Sequence, residues 1–108
     1  MKYPNDMDAP CIALCDAINA QDGLQTIESC CGHGEHPFRI YMRANEINDL
    51  LPLIYHLDRC HSGVEGWSCV AYTDCAGDRV TFRIESTSMG DVAYAEAGKI
   101  AKLIAEEG

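Results

Sequence analysis

The residues best suited to chemistry lie together in one stretch of eight, Ser29 to His36, which reads SCCGHGEH. It contains two thiols, two imidazoles, a carboxylate and two glycines. Cysteine and histidine are the side chains most used as zinc ligands and as nucleophiles. Its two glycines and the proline that follows resist regular structure. The sequence therefore predicts a functional site on a loop that runs from Ser29 to Pro37.

Zinc binding is the first chemistry that this spacing indicates. Cys30 or Cys31, followed by His33 and His36, would supply two or three ligands of a tetrahedral Zn²⁺ site. The remaining ligand would come from a segment distant in the sequence, and the candidates are Cys60, His61, Cys69 and Cys75. The alternative for the cysteines is burial, because an unpaired cysteine behaves as a small hydrophobic residue.

Cysteine catalysis is the second chemistry. Adjacent residues of an extended backbone point to opposite faces, so only one of Cys30 and Cys31 is expected to be reactive. If it is Cys31, the imidazole of His33 would hold the sulfur as a thiolate, and successive loop amides would form an anion-binding nest. The candidate cofactor-binding residues are the small ones of the loop: Ser29, Gly32 and Gly34.

Length and cysteine content indicate the class of protein. A chain of 108 residues fits one domain with a single core. The cysteines number seven, which is odd, and the first residues, MKYPND, have no apolar run of the kind that a secretory signal needs. We therefore expect a reducing, cytoplasmic location. No stretch approaches the roughly 20 apolar residues of a membrane helix, so we expect no membrane partner.

The charge of the chain is acidic. Seventeen Asp and Glu residues against eight Lys and Arg give a net charge of −9, which opposes binding to a phosphate backbone. The exception would be a local patch, since Arg39 and Arg43, and likewise Arg79 and Arg83, are spaced to share one side of a strand. The sequence therefore argues against nucleic acid as a partner and favours a small molecule or a protein, with a homodimer left open.

Apolar spacing divides the chain into elements. It predicts helices over 9–20, 46–60 and 91–106, and strands over 24–29, 38–43, 67–75 and 80–85. The order is α-ββα-ββα, which predicts one α+β domain over residues 1–108, with a four-stranded sheet and helices packed on its apolar face. The cysteine-rich loop would join the first two strands.

Four residues within these elements carry predictions of their own. Cys11 and Cys15 lie on the apolar stripe of the first helix and are expected in the core. His56, on the middle helix, is expected to be solvated. Pro52 lacks a backbone donor and is expected to kink or split that helix.

The stretch NAQDGLQTIESCCG, which ends at Gly32, resembles the entry segment of the wybutosine-synthesising tRNA methyltransferase family. In that family a short helix leads through a Thr to Ser-Cys-Ser-Gly-Arg, and Ser29, Cys30 and Gly32 match its Ser, Cys and Gly. The chain departs from the motif at Cys31, where the family has Ser, and at His33, where it has Arg. The resemblance implies an α/β protein that uses S-adenosylmethionine on a modified guanosine in tRNA.

A longer segment, residues 11–43, resembles small proteins of bacteria and phages that share Thr-x-x-Ser-Cys-Cys-Gly-His-Gly followed by Pro. That resemblance implies no particular activity. We therefore expect a binding or accessory module with its site at the loop, with or without a metal. The alternatives are an S-adenosylmethionine-dependent, RNA-modifying methyltransferase-like protein and a cysteine-nucleophile enzyme.

Overall fold

The order of helices and strands is the predicted one. The structure, a computed structural model, describes residues 9–30, 32, 35–73, 77 and 80–107. The elements are α1 (Ala9–Asn19), β1 (Leu24–Cys30), β2 (Arg39–Ala44), a 3-10 turn (Ile47–Leu50), α2 (Leu51–Leu57), α3 (Arg59–Ser62), β3 (Ser68–Thr73), β4 (Val80–Glu85) and α4 (Gly90–Glu107). The α+β class is thereby confirmed.

The strands form one antiparallel sheet in the order β1-β2-β4-β3. β2 and β4 are the central pair, in which Ile40 lies opposite Ile84 and Met42 lies opposite Phe82. Each hairpin contributes one central strand and one edge strand. The two ββα halves therefore share a single sheet, as the sequence predicts.

One face of the sheet, here called the inner face, packs against the helices. The alternating apolar residues of β2 and β4 are buried there in one core with apolar residues of the helices, among them Leu14, Leu53 and Ile100. α1 lies along β1, α4 contacts both α1 and α2, and α2 lies along β3. The helices therefore follow the order α1-α4-α2 across the sheet. We call the opposite side of the sheet the outer face.

The predicted middle helix is divided at two places: a 3-10 turn gives way to α2 just before Pro52, and α2 ends at Asp58. Pro52 occupies the first turn of α2, where an N–H group would have no helical acceptor and its absence costs little. Asp58 has an extended backbone, with φ −79° and ψ 128°, and its carboxylate accepts the N–H of Cys60 as the N-cap of α3. The contact between the Asp58 carboxylate and the Cys60 N–H therefore determines where α2 ends and α3 begins.

The burial predictions are confirmed for two cysteines and wrong for the histidine. Cys11 and Cys15 are fully buried, and burial raises the pKa of the Cys15 thiol. His56 is only 2% exposed, because it lies on the side of α2 that turns inward with Leu53 and Leu57. No helix within the described ranges combines the length and hydrophobicity that a membrane crossing needs.

Candidate functional site

Gly32 closes the predicted loop just after β1. Its carbonyl oxygen accepts the N–H groups of Glu35 and His36, at 2.9 and 3.0 Å. Its φ of +81° is left-handed, and a Cβ atom at this position would lie 3.1 Å from the carbonyl oxygen of Pro37. Any side chain there would be strained, so Gly32 has a structural role in turning the chain towards β2.

Cys30 is the last residue of β1, and its side chain contacts the loop. The thiol is half-buried, and its sulfur accepts the N–H of Gly32 at 3.4 Å. The sequence predicts the Gly32 amide as part of an anion-binding nest, whereas here that amide points at the sulfur. The contact holds the Cys30 thiol in place at the junction of strand and loop.

Ser29 faces the other way. Its partner in β2 is Ile40, whose side chain lies in the core, and its hydroxyl hydrogen-bonds the buried Cys15 thiol. This contact ties β1 to α1. A ligand that binds the Ser29 hydroxyl would have to replace the hydrogen bond between that hydroxyl and the Cys15 thiol.

Two predicted metal ligands, Cys30 and His36, are described, and His36 is exposed. Within the described residues no group of three or more His, Cys, Asp and Glu side chains is placed to hold a metal ion. Five residues singled out from the sequence lie outside the described ranges: Cys31, His33, Gly34, Cys75 and Arg79. The zinc hypothesis and the Cys31–His33 hypothesis therefore stay predictions.

The remote metal ligands that the structure describes have other surroundings. The ring of His61 stacks on that of Tyr55, with centroids 3.7 Å apart, and its Nδ1 atom lies 3.0 Å from the Tyr55 carbonyl oxygen. Cys60 is exposed on α3. Cys69 is half-buried on β3, and burial raises the pKa of its thiol.

The outer face of the sheet begins beside the loop. Cys30 is the cross-strand partner of Arg39, which is in turn the partner of Glu85. Cross-strand partners project on the same face with their Cβ atoms about 5 Å apart. The Nε atom of Arg39 is buried and has no hydrogen-bond partner. A guanidinium with an unused donor therefore lies next to the half-buried thiol.

Two more arginines share this face. Arg83 lies opposite Tyr41 in the register, and Arg43 is two residues beyond Tyr41 on the same side of β2. The Nε atom of Arg83 lies 3.5 Å from a carboxylate oxygen of Glu85 in an ion pair, and the Nε atoms of both Arg43 and Arg83 are buried without a hydrogen-bond partner. Of the four arginines whose spacing suggests a patch, the three described ones lie together; Arg79 lies outside the described residues.

Aromatic rings and acids complete the outer face. Tyr41 contacts Tyr72 edge to face, with ring centroids 5.9 Å apart. Glu28, the partner of Tyr41, and Glu85 add two negative charges to the three arginines. The described residues of this face therefore sum to a positive charge, opposite in sign to the chain as a whole.

A polar cavity of about 630 Å³ lies at the end of the sheet away from the loop. Gln25, Arg43 and Asn45 contribute its polar groups. It forms where β1 begins and β2 ends, and only the sheet register brings these residues together. For that reason no local pattern in the sequence predicts this cavity, although the predicted hairpin of β1 and β2 implies the pairing.

Comparison of the chain with models of protein families, with curated proteins and with solved structures finds no match. What the chain can bind is therefore indicated by its own residues alone.

Proposed function

We propose that this protein is a binding module whose site lies where the Ser29–Pro37 loop meets the outer face of the sheet. The bound group is a carboxylate or phosphate of a small molecule. The observation that carries the proposal is the unused Nε donor of Arg39 beside Cys30. A cytoplasmic location agrees with it, because the described cysteines are free thiols.

The chemistry of arginine supports an anionic ligand. A guanidinium presents five N–H donors in one plane and binds a carboxylate or phosphate through two of them at once. Glu85, the cross-strand partner of Arg39, is engaged by Arg83 at 3.5 Å. The Nε donors of Arg39, Arg43 and Arg83 are all without a hydrogen-bond partner, and Arg39 is the one of the three next to the loop, beside Cys30.

Titration with inorganic phosphate and with malonate, followed by backbone NMR shifts, tests the site. We expect the largest shifts in the loop and at Arg39, and we expect Arg39→Gln to abolish them. Arg59→Gln is the matched control, because Arg59 is exposed on α3 and pairs with Glu65 at 3.1 Å. Equal shifts in both variants, or none in the wild type, would contradict the proposal.

A zinc-loaded form of the same module is tested separately. Cys30 or Cys31, with His33 and His36, would supply two or three ligands, and a residue distant in the sequence would supply the remaining one. Protein purified without chelator should then contain about one zinc ion per chain, and Cys30→Ser combined with His36→Ala should remove most of it. Metal well below one equivalent would end the zinc hypothesis and leave the anion site to the titration.

RNA modification is the second candidate, and the arginine cluster favours it. Arg39, Arg43 and Arg83, with the ring of Tyr41, offer phosphate contacts and a surface for base stacking. A tRNA substrate agrees with the resemblance to the tRNA methyltransferase family. Since the chain charge of −9 opposes RNA, we expect weak binding that falls as salt rises.

Two measurements test the RNA candidate. Fluorescence anisotropy with unmodified tRNA should show binding at low salt that is lost when the three arginines are changed to Gln together. Calorimetry should show heat with S-adenosylmethionine. Absence of both signals would remove this candidate and leave the small-anion site untouched.

A further inference from the structure

β3 is an edge strand, and its described residues have neither the charge nor the register shift that commonly protects such an edge. It pairs with β4 from Ser68 to Thr73 without a register shift, and no described segment pairs with its other side. The strand reads SCVAYT, which contains neither a charge nor a proline. An edge of this kind presents unpaired N–H and C=O groups and is a template for another strand.

α2 presents a second surface without an evident partner. Its inward residues, Leu50 at the N-cap with Leu53 and Leu57, belong to the core. The opposite side of α2 and the 3-10 turn before it carry four large apolar side chains, here called the α2 stripe: Ile47 (72% exposed), Leu51 (65%), Ile54 (43%) and Tyr55 (43%). Contiguous exposed apolar residues of this size mark interaction sites more often than plain surface.

The edge of β3 and the α2 stripe belong to one flank of the molecule. α2 lies along β3 on the inner side of the sheet, and α4 separates it from α1. α2 leaves part of the strand uncovered, because Cys69 is half-buried while Ala71, on the same side of β3, is exposed. A partner that reaches the strand edge therefore also meets the helix.

We propose that this flank is the interface of a homodimer, in which β3 pairs with β3 of a second copy and the two α2 stripes pack together. A copy related by a two-fold axis runs antiparallel, so its backbone donors and acceptors match. Because β3 contains no charged residue, pairing two copies through β3 brings no like charges together along the strand. The two chains otherwise repel each other, since each has a charge of −9.

A second copy fits this flank better than an extended peptide does. A peptide strand would satisfy the edge of β3 and leave the α2 stripe in water. A second copy covers the edge of β3 and the α2 stripe together, because in each copy α2 lies along β3. The dimer thus buries the apolar side chains and pairs the backbone in one step.

The molar mass in solution, measured by sedimentation with a reductant present, tests the proposal. We expect about twice the chain mass of 11.9 kDa. Val70→Lys is the test variant, because Val70 is 41% exposed on β3 and a lysine there disfavours edge pairing. Ile27→Lys is the matched control, because Ile27 is 47% exposed on β1, the other edge.

Leu51→Glu tests the helix side of the interface independently, at a position that is 65% exposed and so tolerates charge in the monomer. We expect wild type and Ile27→Lys to be dimers. Val70→Lys and Leu51→Glu should be monomers with the wild-type circular dichroism spectrum. A monomeric wild type at NMR concentrations, or a dimer that survives both substitutions, overturns the proposal.

Discussion

The two edges of the sheet are built differently. Three features protect β1 from pairing with another strand. Glu28 places a charge within the strand, the register shifts between Thr26 and Glu28, and the side chain of Asn19 hydrogen-bonds to Thr26. The Asn19 oxygen accepts the Thr26 N–H at 2.8 Å, and its amide donates to the Thr26 hydroxyl at 2.8 Å. The described residues of β3, Ser68–Thr73, contain no charge, and they pair with β4 without a register shift.

The difference indicates that one edge is closed and the other is kept for pairing. Charges, bulges and capping side chains are the features that stop an edge from accepting another strand. They occur on the flank of α1, and the α2 stripe occurs on the other. The Ser29–Pro37 loop joins β1 to β2, on the protected side, so a dimer through β3 leaves the proposed anion site open.

The largest expected effect is a difference in unfolding free energy between substitutions at the buried and the exposed side of the segment around α2. Leu50→Ala should lower the free energy of unfolding by about 2 to 5 kcal/mol, because Leu50 is 1% exposed. Leu51→Ala, at a residue that is 65% exposed, should leave the monomer almost unchanged and weaken the dimer. Urea unfolding at several protein concentrations distinguishes them, and a loss for Leu51→Ala that is the same at every concentration would contradict the assignment.

A smaller effect is expected at the protected edge. Asn19→Ala removes both hydrogen bonds to Thr26 and should cost about 1 kcal/mol in unfolding free energy. Combined with Glu28→Thr, it should also open β1 to pairing, since the capping side chain and the charge are then both gone. Sedimentation should show species larger than the dimer.

Asn19→Asp is the control for that experiment, because its carboxylate can still accept the Thr26 N–H. With Glu28→Thr it should stay dimeric. Growth beyond the dimer in both double variants would show that Glu28 alone protects the edge.

The strands and their faces were predictable because they follow from short-range alternation. Ile40 and Met42 alternate with Arg39 and Arg43, so the core face and the arginine face of β2 can be read directly. The position of Cys30 beside Arg39 also follows once the hairpin is assumed. These features need only the period of a strand and one turn.

What the sequence did not reveal depends on contacts between distant segments. The Asn19 bond to Thr26 and the Ser29 bond to Cys15 require α1 to be docked on β1. His56 was predicted to be solvated because a lone imidazole usually is, and the orientation of α2 decides otherwise. The strand order likewise depends on β2 pairing with β4, which no local pattern specifies.

The alkylation rates of two cysteines compare the two edges of the sheet in the wild-type protein. Cys30 on β1 and Cys69 on β3 are both half-buried. In the dimer the second copy covers the flank of Cys69, so its alkylation by iodoacetamide should slow several-fold as protein concentration rises. Alkylation of Cys30 should not change. Peptide mapping by mass spectrometry gives both rates, and a parallel slowing of both would contradict the location of the interface.

The smallest effect concerns Asp58, which caps the helix leading into β3. The backbone N–H of Cys60 holds the pKa of the Asp58 carboxyl below its ordinary value. A lowered pKa in the folded state stabilises the fold above the unfolded pKa of about 4, and this contribution is lost as the pH falls through the folded pKa. Asp58→Asn keeps a capping oxygen and should therefore show a flatter decline in thermal midpoint below about pH 4.

Asp22→Asn is the matched control for Asp58→Asn, because it removes one exposed carboxylate from the turn before β1. Its acid profile is the baseline for removing one carboxylate from the surface. Since Asp58 is fully exposed, added salt should shrink the difference between the two variants. Identical acid profiles for both variants would mean that ionisation of the Asp58 carboxyl does not contribute to the stability of the fold.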